Sequence, residues 1–300
     1  MELVVAMGIE AMTPLTPLES LYDTDRERTE LPQPELAALY GSLRFPPNAG
    51  RPHVVANFVS SLDGVVALDT PGHEGGGPIS GFNAHDRMVM GLLRAVADVV
   101  LVGAGTLRSV PSHVWTARRV YPELADAYQA LRSALGKSEP PLNVIVTTRG
   151  EIDASTRIFQ SGEVPVLIVT TPRGAERIRS MNLPKAVQIM GLENAGRLSA
   201  RSILDAVARA RSSDLLLVEG GPQLLAHFFA ESCIDELFLT LAPQVAGRDD
   251  TGERPGLVAG KTFAPEHPVW GTLSSVKRGG DHLFLRYAFL PSNDAPGSSK

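Results

Sequence analysis

Ala97-Asp98-Val99-Val100-Leu101-Val102-Gly103-Ala104-Gly105-Thr106 is the stretch on which the fold turns. Val99 to Val102 are apolar at every position, as in a strand buried on both faces inside an α/β sheet. Gly103 and Gly105 follow at once. A glycine turn that opens a helix lets backbone N–H groups approach a phosphate, and Thr106 adds a hydroxyl. The pattern returns as Leu215-Leu216-Leu217-Val218-Glu219-Gly220-Gly221, running into a helix whose Pro222 sits at an allowed early position. One such turn is ordinary turn chemistry; two suggest the two ends of one phosphorylated ligand.

Outward from this pair, the chain alternates strands and helices. His53 to Ser60 reads as a strand with Ser61 to Gly64 as its exit turn, and Gly72 to Gly81 as a glycine-rich loop. Asn83 can cap a helix through Ala97, whose Met88, Val89, Leu92, Leu93 and Val96 form one stripe. A polar helix follows over Pro122 to Leu135. Leu142 to Thr147 and Val164 to Thr170 are buried-type strands, Ala186 to Met190 a weaker one, and Ser199 to Arg211 a helix. After the Pro222 to Glu231 helix the character changes. Glu236 to Ala242, Val269 to Val276 and His282 to Leu290 are strands with no helix between them, the last two joined by a hairpin loop over Lys277 to Asp281. The expectation is one α/β domain over 51–291, its mixed sheet mostly parallel with antiparallel C-terminal strands and flanked by helices. Residues 1–50, broken by Pro14, Pro17, Pro32, Pro46 and Pro47, read as an N-terminal extension strapped over the domain or a dimer partner, with one short helix at Pro34 to Tyr40. Residues 292–300 read as a disordered tail.

Composition excludes several classes of function. A net charge of −5 gives no broad basic footprint for nucleic acid. Cys233 is the single cysteine, so intrachain disulfides and cysteine-rich zinc sites are out, and the seven histidines show no metal-ligand spacing. No apolar run reaches the roughly 20 residues of a membrane span, and Met1 to Met12, with two glutamates and no basic start, is a poor secretory signal. A cytoplasmic protein is expected, with no metal, membrane or nucleic-acid partner.

Strand ends carry the site in open α/β sheets. Gly103, Gly105, Gly220 and Gly221 can offer backbone donors to a pyrophosphate. Thr148 and Arg149, directly after a buried strand, combine a hydroxyl and a guanidinium suited to a 2′-phosphate, which favours NADP over NAD; a solvated turn arginine beside Gly150 is the plain alternative. Asp63 before Gly64 is a turn former or a catalytic acid. Glu219, ending an apolar strand, must be paired, ligand-facing or costly. Position 108 is Arg, so the Gly-x-Gly-x-x-Gly fingerprint is broken, and neither a Gly-Lys-Ser/Thr loop nor a Gly-x-Ser-x-Gly elbow is present.

Four motifs in order, Asn57-Phe58-Val59-Ser60-Ser61-Leu62-Asp63-Gly64, Leu92-Leu93-Arg94-Ala95 with Val102 to Thr106, Val218 to Leu224, and Ile234 to Leu237 with Leu241-Ala242-Pro243 before Gly247, resemble the reductase domain of bacterial riboflavin biosynthesis, within the wider dihydrofolate-reductase-like fold. The resemblance covers about Arg51 to Leu290. It implies NADPH as cofactor, a small heterocyclic substrate and a homodimer. Position by position it places Val59, Pro78, Thr106, Thr148 and the stretch Gly221, Pro222, Gln223, Leu224 to His227 at the cofactor, and Asn57, Arg94 and Glu219 at the substrate, with Asn57, Asp63 and Glu219 as catalytic candidates. In that family a hydride passes to C1′ of a ribosylamino-pyrimidine phosphate, opening the sugar to a ribityl chain. Three departures mark the substrate half. Asn57 stands where a lysine is common, Leu107-Arg108-Ser109-Val110-Pro111 replaces an Asp-Pro, and Arg118 or Arg119 must serve for a phosphate-gripping arginine. The N-terminal part has neither the His-x-Glu nor the Cys-x-x-Cys of the zinc deaminase often fused upstream. Three functions stay open: the pyrimidine reductase, reduction of dihydrofolate or another pterin, and a non-catalytic NADPH-binding module.

Overall fold

A computed structural model describes residues 15–24, 30–48, 50–68, 70–193, 198–249 and 254–289. Ten strands form one sheet: β1 (Glu19–Asp23), β2 (His53–Ser60), β3 (Val99–Gly103), β4 (Leu142–Thr147), β5 (Val166–Thr170), β6 (Gln188–Gly191), β7 (Leu215–Val218), β8 (Glu236–Leu241), β9 (Thr272–Gly279) and β10 (His282–Ala288). Their spatial order is β1-β9-β10-β8-β2-β7-β3-β4-β5-β6. From β8 to β6 every neighbouring pair is parallel, whereas β10, β9 and β1 are antiparallel to their neighbours. The sheet is therefore mixed, as expected. β8 differs from its expectation: it pairs in parallel with β2 on one side and antiparallel with β10 on the other, because a helix precedes it and a hairpin follows β9.

The helices are α1 (Pro34–Tyr40), α2 (Gly77–Ser80), α3 (Ala84–Val96), α4 (Ala104–Ser109), α5 (Ala117–Val120), α6 (Ala125–Ala134), α7 (Arg157–Gln160), α8 (Pro172–Arg179), α9 (Ala200–Ala210) and α10 (Pro222–Ala230). The all-apolar strands follow from burial on both sides. Val100, Val102, Ile145 and Leu217 join one core with Met88, Leu92 and Val96 of α3 and with Tyr128 and Leu131 of α6. The residues between them, Val99, Leu101, Val144 and Leu216, join a second core with Ile203 and Val207 of α9 and Phe228 of α10. α3 starts where its sequence predicts, the Asn83 side chain accepting from the Asp86 N–H at 3.0 Å.

The N-terminal segment adds a strand that its proline-interrupted sequence did not announce. β1 is the edge of the sheet, and α1 buries Leu36, Leu39 and Tyr40. The hairpin loop is tighter than expected, since Lys277 to Gly279 belong to β9 and only Gly280 and Asp281 turn. Residues 292–300 and Met1 to Met12 lie outside the described residues.

Beneath the sheet ends, the buried Arg132 of α6 finishes α3. Its Nη1 donates to the carbonyls of Ala95 at 2.9 Å and Ala97 at 2.8 Å, and its Nη2 to that of Glu139. The Ala95 and Ala97 carbonyls lie at the end of α3, where the last carbonyls have no intrahelical partner. Arg132→Met is therefore expected to lower stability by about 2–4 kcal/mol in urea unfolding, the cost of orphaning a buried network.

Candidate active site

β7 lies between β2 and β3, so both glycine bends leave neighbouring strands at the same, carboxyl end of the sheet. The Gly103 N–H donates to the Gly220 carbonyl at 3.1 Å, and the Glu219 N–H to the Leu101 carbonyl at 3.0 Å. Gly220 adopts φ +145, and the Gly220–Gly221 peptide bond is cis. No other residue fits at 220: a Cβ there would lie 2.5 Å from the Thr106 hydroxyl oxygen. The two bends thus form one surface, with Thr106 wedged between them.

That surface is the floor of a cleft of about 1610 Å³. Asn57, Val59, Gly103, Gly105, Thr106, Thr148, Arg149 and the run Gly220 to Leu224 all line it. The bare glycine backbone leaves room for a ligand. A Cβ added at Gly103 or Gly105 would meet nothing closer than 3.9 Å. α10 begins at the bend with Gly221 as N-cap and no side-chain cap, leaving its first N–H groups, Gln223 and Leu224 among them, outside the helical ladder and aligned with the helix dipole. Arg149 is exposed and ion-paired with Glu151 at 2.8 Å. Such a surface pair contributes little and can exchange for an anionic ligand. This half of the cleft fits a phosphorylated dinucleotide.

Above β7 the cleft turns charged and buried. Arg94 and Glu219, exposed by only 2% and 4%, pair through Nη2 at 2.7 Å and Nε at 2.8 Å, both onto Glu219 Oε2. Glu219 Oε1 is buried with no partner among the described residues. Arg94 Nη1 donates to His113 Nε2 at 2.9 Å. His113 therefore carries its proton on Nδ1, and burial, reinforced by Arg94, pushes its pKa down to about 3. Trp115 lies edge-on to His113 with ring centroids 5.0 Å apart. The buried Asn143 of β4 holds Trp115 by both backbone groups, accepting from its N–H at 3.1 Å and donating to its carbonyl at 3.2 Å.

Asp86 completes this region. It is 6% exposed and lines the cleft, with the Thr240 and Ser80 hydroxyls near its carboxyl. Burial pushes its pKa above the usual carboxylate range, and those hydroxyls pull it only part of the way back. Asp86, His113 and Trp115 were not legible as site residues. Asp86 reads as a first-turn helix acid, and His113 and Trp115 sit in an irregular stretch. An acid on the face of α3 that also carries Arg94 is the signal available.

Two expected site residues lie elsewhere. Asp63 does not line the cleft. Its carboxylate accepts from Ser61 Oγ at 2.6 Å and from the N–H groups of Ala246 at 3.0 Å and Gly247 at 2.7 Å, tying two loops together. It serves as the turn former and lies outside the cleft lining. Pro78 also stays out of the lining, its carbonyl accepting from Gln244 Nε2 at 3.2 Å. The aromatic wall comes instead from Phe82, which lines the cleft, is 66% exposed and sits at φ +55 against Gly77. Arg94, placed on the substrate side by resemblance, spends its donors on Glu219, His113, the Thr116 carbonyl and Met90. It positions Glu219. Among the described residues no group of three His, Cys, Asp or Glu could hold a metal ion, and no helix is long and apolar enough to cross a membrane.

Residues 52–266 match the family model of the RibD C-terminal domain. The chain belongs to this family. Among relatives of known name, the RibD C-terminal domain shares 25% identity over 213 residues with a 2,5-diamino-6-ribosylamino-4(3H)-pyrimidinone 5′-phosphate reductase of Archaeoglobus fulgidus, covering 71% of this chain and 89% of that one. It shares 26% over 199 residues with the riboflavin biosynthesis protein RibD of Aquifex aeolicus, covering 66% of this chain and 48% of that one. A solved pyrimidine reductase-like protein of Corynebacterium diphtheriae superposes with a TM-score of 0.62 at 20% identity, over 80% of this chain and 93% of that one. A deaminase/reductase of Thermotoga maritima does so at 0.58 and 21%, over 80% and 57%. These structures share the fold described above.

The Asp63 contacts predict a pH dependence. They hold its pKa down at about 2, below the roughly 3.9 of an unfolded aspartate. The ionised form therefore stabilises the fold above about pH 4, and that contribution is lost as pH falls through about 2. In urea unfolding, Asp63→Asn should trail the parent by a constant margin above about pH 4, and the margin should close below it. A margin unchanged down to pH 2 would remove the assignment.

Proposed function

We propose that this chain is an NADPH-dependent reductase of a ribosylamino-pyrimidine 5′-phosphate. The observation that carries the reading is the single cleft in which two phosphate-type glycine bends meet a buried, incompletely paired carboxylate. When bound, the cofactor would supply a hydride to C1′, with the C1′–O4′ bond broken and a proton taken up by O4′ as the sugar opens. The bends and the start of α10 hold its pyrophosphate, and Thr148 with Arg149 takes the 2′-phosphate. Glu219 Oε1 accepts from a ligand N–H. Arg94 holds that carboxylate fixed in place through its two contacts to Oε2. Asp86, its pKa raised by burial, is the acid able to hold a proton within the cleft. Arg87, whose Nε is buried without a partner among the described residues, lines the same cleft and is available to a substrate phosphate; Arg119 also lines it but is engaged by Glu163 at 2.6 Å, a partner that a phosphate would have to displace. Trp115 and Phe82 wall the cleft against water, and fixed geometry supplies the larger part of such catalysis.

A second reading, reduction of a pterin such as dihydrofolate, draws support from the same Asp86. A 2-amino-4-oxopyrimidine edge is common to both substrates, and a buried carboxylate accepts its N–H donors equally well. Asn57 in place of a lysine removes a cation from that side and suits the uncharged ring. NADPH oxidation assayed with each substrate separates the two, and tight NADPH binding with neither turned over would favour the non-catalytic module. A homodimer and a cytoplasmic setting belong to the same reading and rest on the family likeness.

NADPH should bind more tightly than NADH. Arg149→Ala should narrow that gap by about five- to tenfold without changing NADH affinity, read by fluorescence titration. Equal affinities in the parent would remove the 2′-phosphate assignment. Asp86→Asn should lower kcat by about a hundredfold and leave the NADPH Kd unchanged.

A further inference from the structure

The other flank of the sheet carries a second cavity, of about 370 Å³, that shares no lining residue with the cleft. On β9, Ser275 and Lys277 are two residues apart and share a face, and Arg286 of β10 pairs with Ser275 across the strands. α1 and the turn after it cover that face. The Tyr40 ring lies 5.0 Å from the Lys277 ammonium, with Ser42 and Arg44 at the rim.

Lys277 is 4% exposed. Among the described residues its ammonium has the Asp23 carboxylate at 4.0 Å, beyond hydrogen-bond distance, and the Tyr40 ring face. Glu236 is engaged with Arg286, whose Nη2 lies 3.0 Å from Glu236 Oε1. An ammonium has three donors and no acceptor, and burying it without hydrogen bonds is costly. Burial, with Arg286 nearby, lowers the Lys277 pKa, against a smaller opposing pull from Asp23. Three cationic side chains, Arg44, Lys277 and Arg286, thus converge on one cavity; Arg286 is engaged by Glu236, and the rest of the wall is the Asp23 carboxylate, Pro46 and hydroxyl-bearing side chains.

We propose that this cavity binds a phosphate group, free or on a small phosphomonoester, with Lys277 as the central donor. A tetrahedral anion offers oxygens in several directions, matching an ammonium from the sheet and hydroxyls from Ser42 and Ser275. The volume leaves room for a small organic group beside the phosphate. This inference is independent of the reductase reading, since no residue is shared.

Calorimetric titration of the full chain with inorganic phosphate, and separately with ribose 5-phosphate, tests it. Both should bind the parent if the free anion suffices, and only the ester if the organic group is needed; either result supports the site. Lys277→Met should weaken that binding at least about tenfold while leaving the NADPH Kd unchanged. Ser42→Asp, a half-buried rim position, guards against a variant that fails to fold. Its carboxylate should take the anion's place, weakening phosphate binding similarly and raising the Tm of the unliganded protein. Binding of neither ligand to the parent, or equal binding in parent and both variants, overturns the proposal.

Discussion

The hydrogen bond from the Gly103 N–H to the Gly220 carbonyl is the constraint on which the site depends. It extends the β3–β7 ladder past the last paired residues and brings two glycine bends from distant parts of the sequence into van der Waals contact. With Thr106 filling the space a side chain at 220 would need, the starts of α4 and α10 lie side by side. Their free N–H groups then face one volume. Had β7 paired anywhere else in the sheet, the same two sequences would be two unrelated turns.

The same junction explains the buried charge. β7 ends at Val218, and the next residue, Glu219, stands over the strand end where α3 passes. A carboxylate there is tolerated because Arg94 meets it with two short contacts. A buried ion pair seldom stabilises a fold on balance, since desolvation of both ions offsets their attraction. Here the pair is also incomplete, with Oε1 unpartnered among the described residues. Under the proposed function the unmet acceptor serves a ligand, and Arg94 and His113 form the frame that keeps it oriented. Asp86 lies at the start of the same helix. One helix therefore delivers both the positioning cation and a second buried acid.

Asn143 shows how the frame is made rigid. It interrupts an otherwise apolar β4, and both ends of its amide are used on the Trp115 backbone. A buried amide satisfied in this way fixes an irregular segment without secondary structure. That segment carries His113 and Trp115 into the cleft.

Every strand but β1, half of the helices and the two glycine bends were legible from local pattern alone. Short β-branched apolar runs bounded by turns read as strands buried on both faces, Asn83 and Ser199 announce helix starts, and strand-to-glycine turns announce backbone donors. What sequence could not order was everything set by the third dimension. The Pro78 backbone turned away while Phe82 reached the cleft, and Asp63 closed a loop instead of facing a substrate. Asp86 and His113 became site residues only when α3 and an irregular segment converged on β7, and Lys277 became a buried donor only because the N-terminal segment folded over β9. Patterns of period two and 3.6 record which face of an element is apolar. The chemistry of a buried polar group depends on what packs opposite it, and that is decided only by the strand order.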